Sequence, residues 1–150
     1  MFHRSFLLSM CVCFSLNAAS YGGKIGIDFT LSEQPTIGMK WHISKLYCVN
    51  PFFGFLAAGK SADQGNLLIV GLGNQFYLPS FLALDHYINI SPAYYGFGGS
   101  GFFEGKLSYG LQYQCNNTIS IFGELGIVYY SRDYLAETFR SGVGAIFYFK

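Results

Sequence analysis

Between Phe103 and Gln114 the chain reads FEGKLSYGLQYQ. Phe103, Leu107, Tyr109, Leu111 and Tyr113 fall on one parity, and Glu104, Lys106, Ser108, Gly110, Gln112 and Gln114 on the other. A period of two belongs to an extended strand whose two faces meet different surroundings. The pattern recurs near the start, where Ile25, Ile27, Phe29 and Leu31 alternate with Lys24, Gly26, Asp28 and Thr30. Eight such segments are expected, near Lys24–Leu31, Thr36–Ser44, Leu46–Ala57, Leu67–Leu78, Leu82–Tyr94, Phe102–Cys115, Thr118–Ser131 and Thr138–Lys150. Such a chain must bury one face of every strand or place it against something other than water.

Charge decides between these. Charged residues make up 11% of the 150 residues and hydrophobic ones 51%, against about 25% charged in an ordinary soluble domain. So few charges leave most of a water-facing surface uncovered. After the N-terminal segment there is no uninterrupted apolar run of the roughly 20 residues that a membrane helix needs, and the 19 glycines disfavour helix. Hydrocarbon admits only helices and closed barrels, because only they satisfy every backbone polar group internally. The expected fold is therefore all-β, an antiparallel up-and-down eight-stranded transmembrane β-barrel.

The first twenty residues read as an export signal. His3 and Arg4 precede an apolar stretch from Phe6 to Leu16, and Ala18-Ala19-Ser20 offers a small-residue cleavage site. Residues 1–20 are thus expected to be a cleaved signal peptide and residues 21–150 the barrel. A lipid anchor at Cys11 is disfavoured by the bulk of Met10 before it. Loss of Arg4 leaves eight basic against eight acidic residues, and no basic patch draws the chain to nucleic acid.

Two polar or glycine-rich sets of connections alternate. SEQP, GKSADQGN, GFGGSG and SRDYLAE form one set, and the shorter SK, PS and NN form the other. A Gly-x-Gly-x-x-Phe-Tyr pattern occurs twice, at Gly71, Gly73, Phe76, Tyr77 and at Gly142, Gly144, Phe147, Tyr148. Hairpins from Gly38 and from Gly110 echo each other as well. This suggests two four-stranded halves closing on one another.

In TIGMKWHISKLYCVNPFFGF, LSYGLQYQCNNTISIFGELGI and the terminal GVGAIFYF, the chain resembles the small eight-stranded outer-membrane β-barrel proteins of Gram-negative bacteria, the porin superfamily. The resemblance implies an outer-membrane location, contact with outer-membrane lipids, and recognition by the barrel assembly machinery through a C-terminal signal carried here by Gly144, Phe147 and Phe149. Lys150 after the last Phe, and Gly142 where a polar residue is common, depart from that pattern. With both termini periplasmic, as is usual in that family, the set beginning with SEQP faces outside the cell; a structural or interaction role is expected, these short outer loops argue against a large adhesive surface, and the ligand is left open.

Facing the lumen, by parity, are Lys24, Asp28, Lys40, His42, Glu104, Lys106, Glu124 and Arg140. Eight strands enclose too little space for more than side chains, and lone charges are costly to bury. An ion-pair and hydrogen-bond plug is favoured over a conducting pore. One alternative is a lipid-modifying outer-membrane enzyme, an acyl hydrolase or transferase, using His42, Ser44 and Glu124 as a nucleophile-base-acid set. Lys45 after Ser44 breaks the deacylase His-x-Ser-Asn signature. Asp85 and His86, being adjacent, point to opposite faces. The other alternative is a secreted soluble lipocalin-like barrel with its apolar face inward, binding an apolar ligand. No metal site or cofactor is expected. Trp41, Tyr94, Tyr95, Tyr129, Tyr130, Tyr148 and Phe149 are read as interfacial rings near strand ends. Cys48 and Cys115 fall on the third and sixth strands, too far apart for a bridge, and two free thiols are expected.

Overall fold

The computed structural model describes residues 22–56, 66–80, 83–97, 100–130 and 136–149. The expected signal, all of GKSADQGN but Asn66, Gly98 and Gly99 of GFGGSG, and residues 131–135 of SRDYLAE lie outside these. Eight strands run in chain order: β1 Ile25–Leu31, β2 Thr36–His42, β3 Tyr47–Leu56, β4 Leu67–Tyr77, β5 Leu84–Phe97, β6 Ser100–Gln114, β7 Ile119–Tyr130 and β8 Ala136–Tyr148. Each pairs antiparallel with its neighbours, and β8 pairs back onto β1 from Gly26↔Tyr148 to Leu31↔Val143. No edge is left open.

Closure requires tilt, and the register supplies it. From Lys24, whose carbonyl receives the His42 N–H at 3.0 Å, one circuit runs through His42↔Cys48, Cys48↔Gln75, Gln75↔Asn89, Asn89↔Ser108, Ser108↔Gly126 and Gly126↔Arg140. Arg140 then bonds the side chain of Gln34. One turn about the barrel has climbed from Lys24 to Gln34, about ten positions along the first hairpin, and this stagger tilts the strands. A register shift between Gly126 and Val128 marks a bulge in the β7–β8 seam.

The apolar parity faces outward. Phe29, Leu31, Ile37, Met39, Trp41, Phe103, Leu107, Ile121 and Leu125 are all exposed, Leu31 and Phe103 at 65%. Asp28, Lys40, His42, Gln112 and Ser120 on the other parity are at most 1% exposed. This is the reverse of a soluble apolar-binding barrel, so the lipocalin-like alternative is corrected: the greasy face is the outer wall.

Three expectations are adjusted. The described residues of the glycine-rich GFGGSG are ladder, since Gly96 pairs Gly101 and Phe97 pairs Ser100. β8 begins at Ala136, inside the expected SRDYLAE connection. Of the expected interfacial rings, Trp41, Tyr94, Tyr129 and Phe149 are exposed, whereas Tyr95 and Tyr148 are buried inside and Tyr130 bonds the luminal Arg140. Adjacent strand residues cannot share a face.

One glycine in each copy of the repeated pattern, the first in one and the second in the other, lies under an aromatic ring. Phe52 is the cross-strand partner of Gly71, and Phe122 of Gly144. A Cβ at either glycine would overlap the partner's ring. Each ring lies across the bare backbone opposite, which fills the lumen without widening it. The two pairs sit on β3–β4 and β7–β8, half a barrel apart.

Short turns at the end bearing the termini are locally determined. Ser44 Oγ accepts the Leu46 N–H at 3.2 Å, and Asn116 Oδ1 accepts the N–H groups of Thr118 and Ile119, each at 2.8 Å. Gly23 enters β1 with φ of 80°, a conformation suited to glycine.

Two prolines sit inside strands. Pro51 and Pro92 both point outward. At Pro92 the ladder to β4 is interrupted between Gly71↔Ala93 and Asn74↔Ile90, since proline has no N–H to give. Asn74, a polar residue on the outer wall, donates Nδ2 to the Leu72 and Ile90 carbonyls at 3.5 and 3.4 Å and accepts from Tyr47 Oη at 2.8 Å. A side chain thus supplies donors where the backbone ladder is broken.

Replacing Gly71 with Val is expected to destabilise the barrel by about 1–3 kcal/mol through overpacking against Phe52, and Phe52→Ala added to it should recover a large part. Urea unfolding of the refolded protein measures both. Cys48 is buried and Cys115 exposed, both as free thiols. In the chain lacking residues 1–20, which carry Cys11 and Cys13, a maleimide reagent should label one thiol in the folded protein, lost in Cys115→Ser, and both after denaturation; equal labelling of the two in the folded state would contradict the structure.

Candidate functional site: the polar lumen

The eight luminal candidates fall into three layers along the barrel. At the end bearing the termini, Gln112 is the organiser. Its Oε1 accepts from Lys40 Nζ at 3.1 Å and from Tyr77 Oη at 2.9 Å, and its Nε2 donates to Tyr148 Oη at 3.0 Å. His42 Nε2 lies 3.0 Å from the same Tyr148 hydroxyl. The Lys40 ammonium stands 5.1 and 5.0 Å from the ring centres of Tyr87 and Phe122, so ring faces offset part of its lost hydration. Lys24 lies 5.8 Å from the Tyr148 ring centre, and Ser80 bonds Asp85 at 2.5 Å. The bonded side chains of this layer come from β2, β4, β6 and β8.

In the middle layer Glu124 is the hub. Lys106 meets its carboxylate at 2.7 Å, Tyr87 Oη donates at 2.9 Å, Ser108 Oγ at 3.1 Å, and Asn89 Nδ2 reaches both oxygens at 3.3 and 3.4 Å. A carboxylate taking that many donors keeps its charge at tolerable cost. Asp28 in the same layer accepts from Asn50 Nδ2 at 2.5 Å.

At the opposite end, Arg140 on β8 reaches past β7 to Glu104 on β6 at 2.8 Å. Tyr95 Oη donates to Glu104 Oε1 at 3.0 Å, while Arg140 also donates to Gln34 Oε1 and Tyr95 Oη, each at 3.3 Å, and to Tyr130 Oη. That a side chain spans an intervening strand shows how narrow the lumen is.

The structure brings Lys106 to Glu124 and Arg140 to Glu104, and sets the Lys40 ammonium, the His42 ring and the Lys24 ammonium near aromatic rings. The catalytic candidates are engaged separately: His42 with Tyr148, Glu124 with its four donors, and Ser44 in the β2–β3 turn with Leu46. Asp85 faces inward to Ser80, whereas His86 bonds Tyr109 on the outer wall. Among the described residues no three His, Cys, Asp or Glu side chains assemble as a metal site. Sequence reading passed over Tyr77, Tyr87, Asn50 and Asn89 as luminal partners. Their parity, shared with Gln75, Asp85, Cys48 and Tyr87 along their strands, was the available signal.

No family model and no curated protein matches the chain. Solved structures do match. A de novo designed transmembrane β-barrel aligns at TM-score 0.63 and 11% identity, covering 85% of this chain and 97% of the design. The N-terminal β-barrel domain of Pseudomonas aeruginosa OprF aligns at TM-score 0.62 and 13% identity, covering 84% and 96%. The fold is therefore that of the small transmembrane β-barrels, a closed, antiparallel, eight-stranded, outer-membrane-type barrel.

Removing one partner of the Arg140–Glu104 pair should cost more than removing both. Arg140→Met alone is expected to destabilise by about 3–5 kcal/mol because Glu104 is left charged and buried. Arg140→Met combined with Glu104→Leu should cost markedly less than the sum of the single changes, in urea titrations read by intrinsic fluorescence.

Proposed function

We propose that this chain is a small integral outer-membrane protein, exported by a cleaved signal peptide and serving a structural or interaction role, with its interior plugged. The observation that carries this reading is the combination of an apolar outer wall with a lumen crossed by bonded side chains in each layer. A belt of exposed Phe, Leu, Ile and Trp suits lipid tails, and the exposed Trp41, Tyr94, Tyr129 and Phe149 suit the lipid-water boundary. The Gln112, Lys40, Tyr77 and Tyr148 layer supports a plug because it spans strands β2, β4, β6 and β8. In the same reading the end with both termini is periplasmic, and the assembly machinery recognises Gly144, Phe147 and Phe149. Phe147 faces outward, edge-on to Phe29 at 6.0 Å, and the Phe149 N–H bonds the Ile25 carbonyl at 2.8 Å, so these residues lie on the closing seam.

Cell fractionation followed by gel electrophoresis with and without boiling tests the location and the fold together. Recovery in the outer-membrane fraction with a heat-dependent mobility shift is expected, and a protein found in soluble fractions would sink the proposal. Reconstitution into planar bilayers tests the plug: steps of conductance typical of an open aqueous channel would contradict it, and a silent membrane is expected.

A further inference from the structure

Three oxygens and two glycines of the middle layer point to a ligand. Asn50 gives its Nδ2 to Asp28 Oδ2, and Asn89 gives its Nδ2 to both oxygens of Glu124. These bonds fix how each amide is turned, because exchanging its oxygen and nitrogen would set a carbonyl oxygen against a carboxylate. The amide oxygens must then face elsewhere. Among the described residues, Asp28 Oδ1, Asn50 Oδ1 and Asn89 Oδ1 meet no protein donor, although Asp28, Asn50 and Asn89 are only 1%, 8% and 5% exposed. Buried acceptors without a donor are costly and mark a missing partner.

Bare backbone at two glycines makes the room these oxygens occupy. A Cβ on Gly38 would lie 2.5 Å from both Asp28 Oδ1 and Asn50 Oδ1, and one on Gly73 would lie 3.3 Å from Asn89 Oδ1. Asp28, Asn50, Gly73 and Asn89 line a single cavity of about 70 Å³ whose lining reaches the β1–β2 turn at Ser32 and Gln34. That is room for an ion and a couple of waters.

Charge narrows the occupant. Of the carboxylates lining the cavity, Glu104 is paired with Arg140 and Glu124 with Lys106, while Asp28 is bonded to a neutral amide. Lys40, two residues beyond Gly38, makes its hydrogen bond to Gln112 and is not part of the cavity lining, but its charge still acts on Asp28 across the lumen and offsets part of that carboxylate's charge. One carboxylate with neutral amide oxygens is a hard ligand set carrying a single negative charge. Divalent ions of the calcium type gain affinity with the number of charged ligands, so this set favours a single positive charge. We infer that Asp28, Asn50 and Asn89 form a binding site for a monovalent alkali cation, with water completing its shell.

The full chain refolded in detergent micelles would be unfolded with urea in sodium, potassium, choline or calcium chloride at matched ionic strength. Sodium or potassium should raise the folding equilibrium constant saturably over choline, by about elevenfold at ten times the dissociation constant. Asp28→Asn and Asn89→Leu should each abolish the difference. Identical curves in sodium, potassium and choline would overturn the proposal, as would a rise with calcium alone or an alkali effect that survives both substitutions. If either variant fails to fold, crystals of the unaltered protein soaked in thallium(I) decide: an anomalous peak between Asp28 and Asn50 supports the site, and its absence there leaves water as the occupant and overturns it.

Discussion

A backbone in hydrocarbon has no water to fall back on, and this molecule is organised around that constraint. Every strand must find donors and acceptors on both sides, so the β1–β8 seam from Gly26↔Tyr148 to Leu31↔Val143 is the condition on which the other seven depend. Closure with eight strands and a stagger of about ten positions, from Lys24 to Gln34, sets the bore. The bore in turn dictates which side chains the inner parity can carry.

The lumen meets that restriction in two ways. Where a ring enters, the partner strand yields a glycine, as in Phe52 over Gly71 and Phe122 over Gly144. Where charge enters, a carboxylate is surrounded, as Glu124 is by Lys106, Tyr87, Ser108 and Asn89. Both solutions are long-range: they join residues tens of positions apart and hold neighbouring strands in one register. A slip of one residue would carry Lys40 and Asp28 to the outer wall and Met39 and Ile27 to the lumen.

Parity was enough to read the strands and their faces from the sequence. Ile25 to Leu31 and Phe103 to Tyr113 display it directly, and scarce charge argued that the apolar face is the outer one. Parity also separates Asp85 from His86. What it does not give is register, and partnerships live there. That Arg140 passes β7 to reach Glu104, or that Gln112 gathers Lys40, Tyr77 and Tyr148, follows from stagger fixed by all eight seams together. The repeated Gly-x-Gly-x-x-Phe-Tyr was visible, but Phe52 and Phe122, the rings that cover Gly71 and Gly144, belong to the strands before. Tyr95, Tyr130 and Tyr148 were misjudged because ring content near a strand end suggested the interface more strongly than position along the strand suggested the interior.

Asn74 carries a consequence for how the wall moves. Between β4 and β5, at Pro92, two sheet carbonyls are served by an amide side chain that itself leans on the Tyr47 hydroxyl. Backbone ladders open cooperatively, whereas a side chain can leave by rotating a few bonds, on the picosecond to nanosecond scale when it is free to turn. This stretch of seam is thus latched from outside. The Tyr47 and Phe76 rings lie 5.1 Å apart on the same patch beside the latch. Whatever packs against that outer patch thereby acquires a handle on one seam of the barrel.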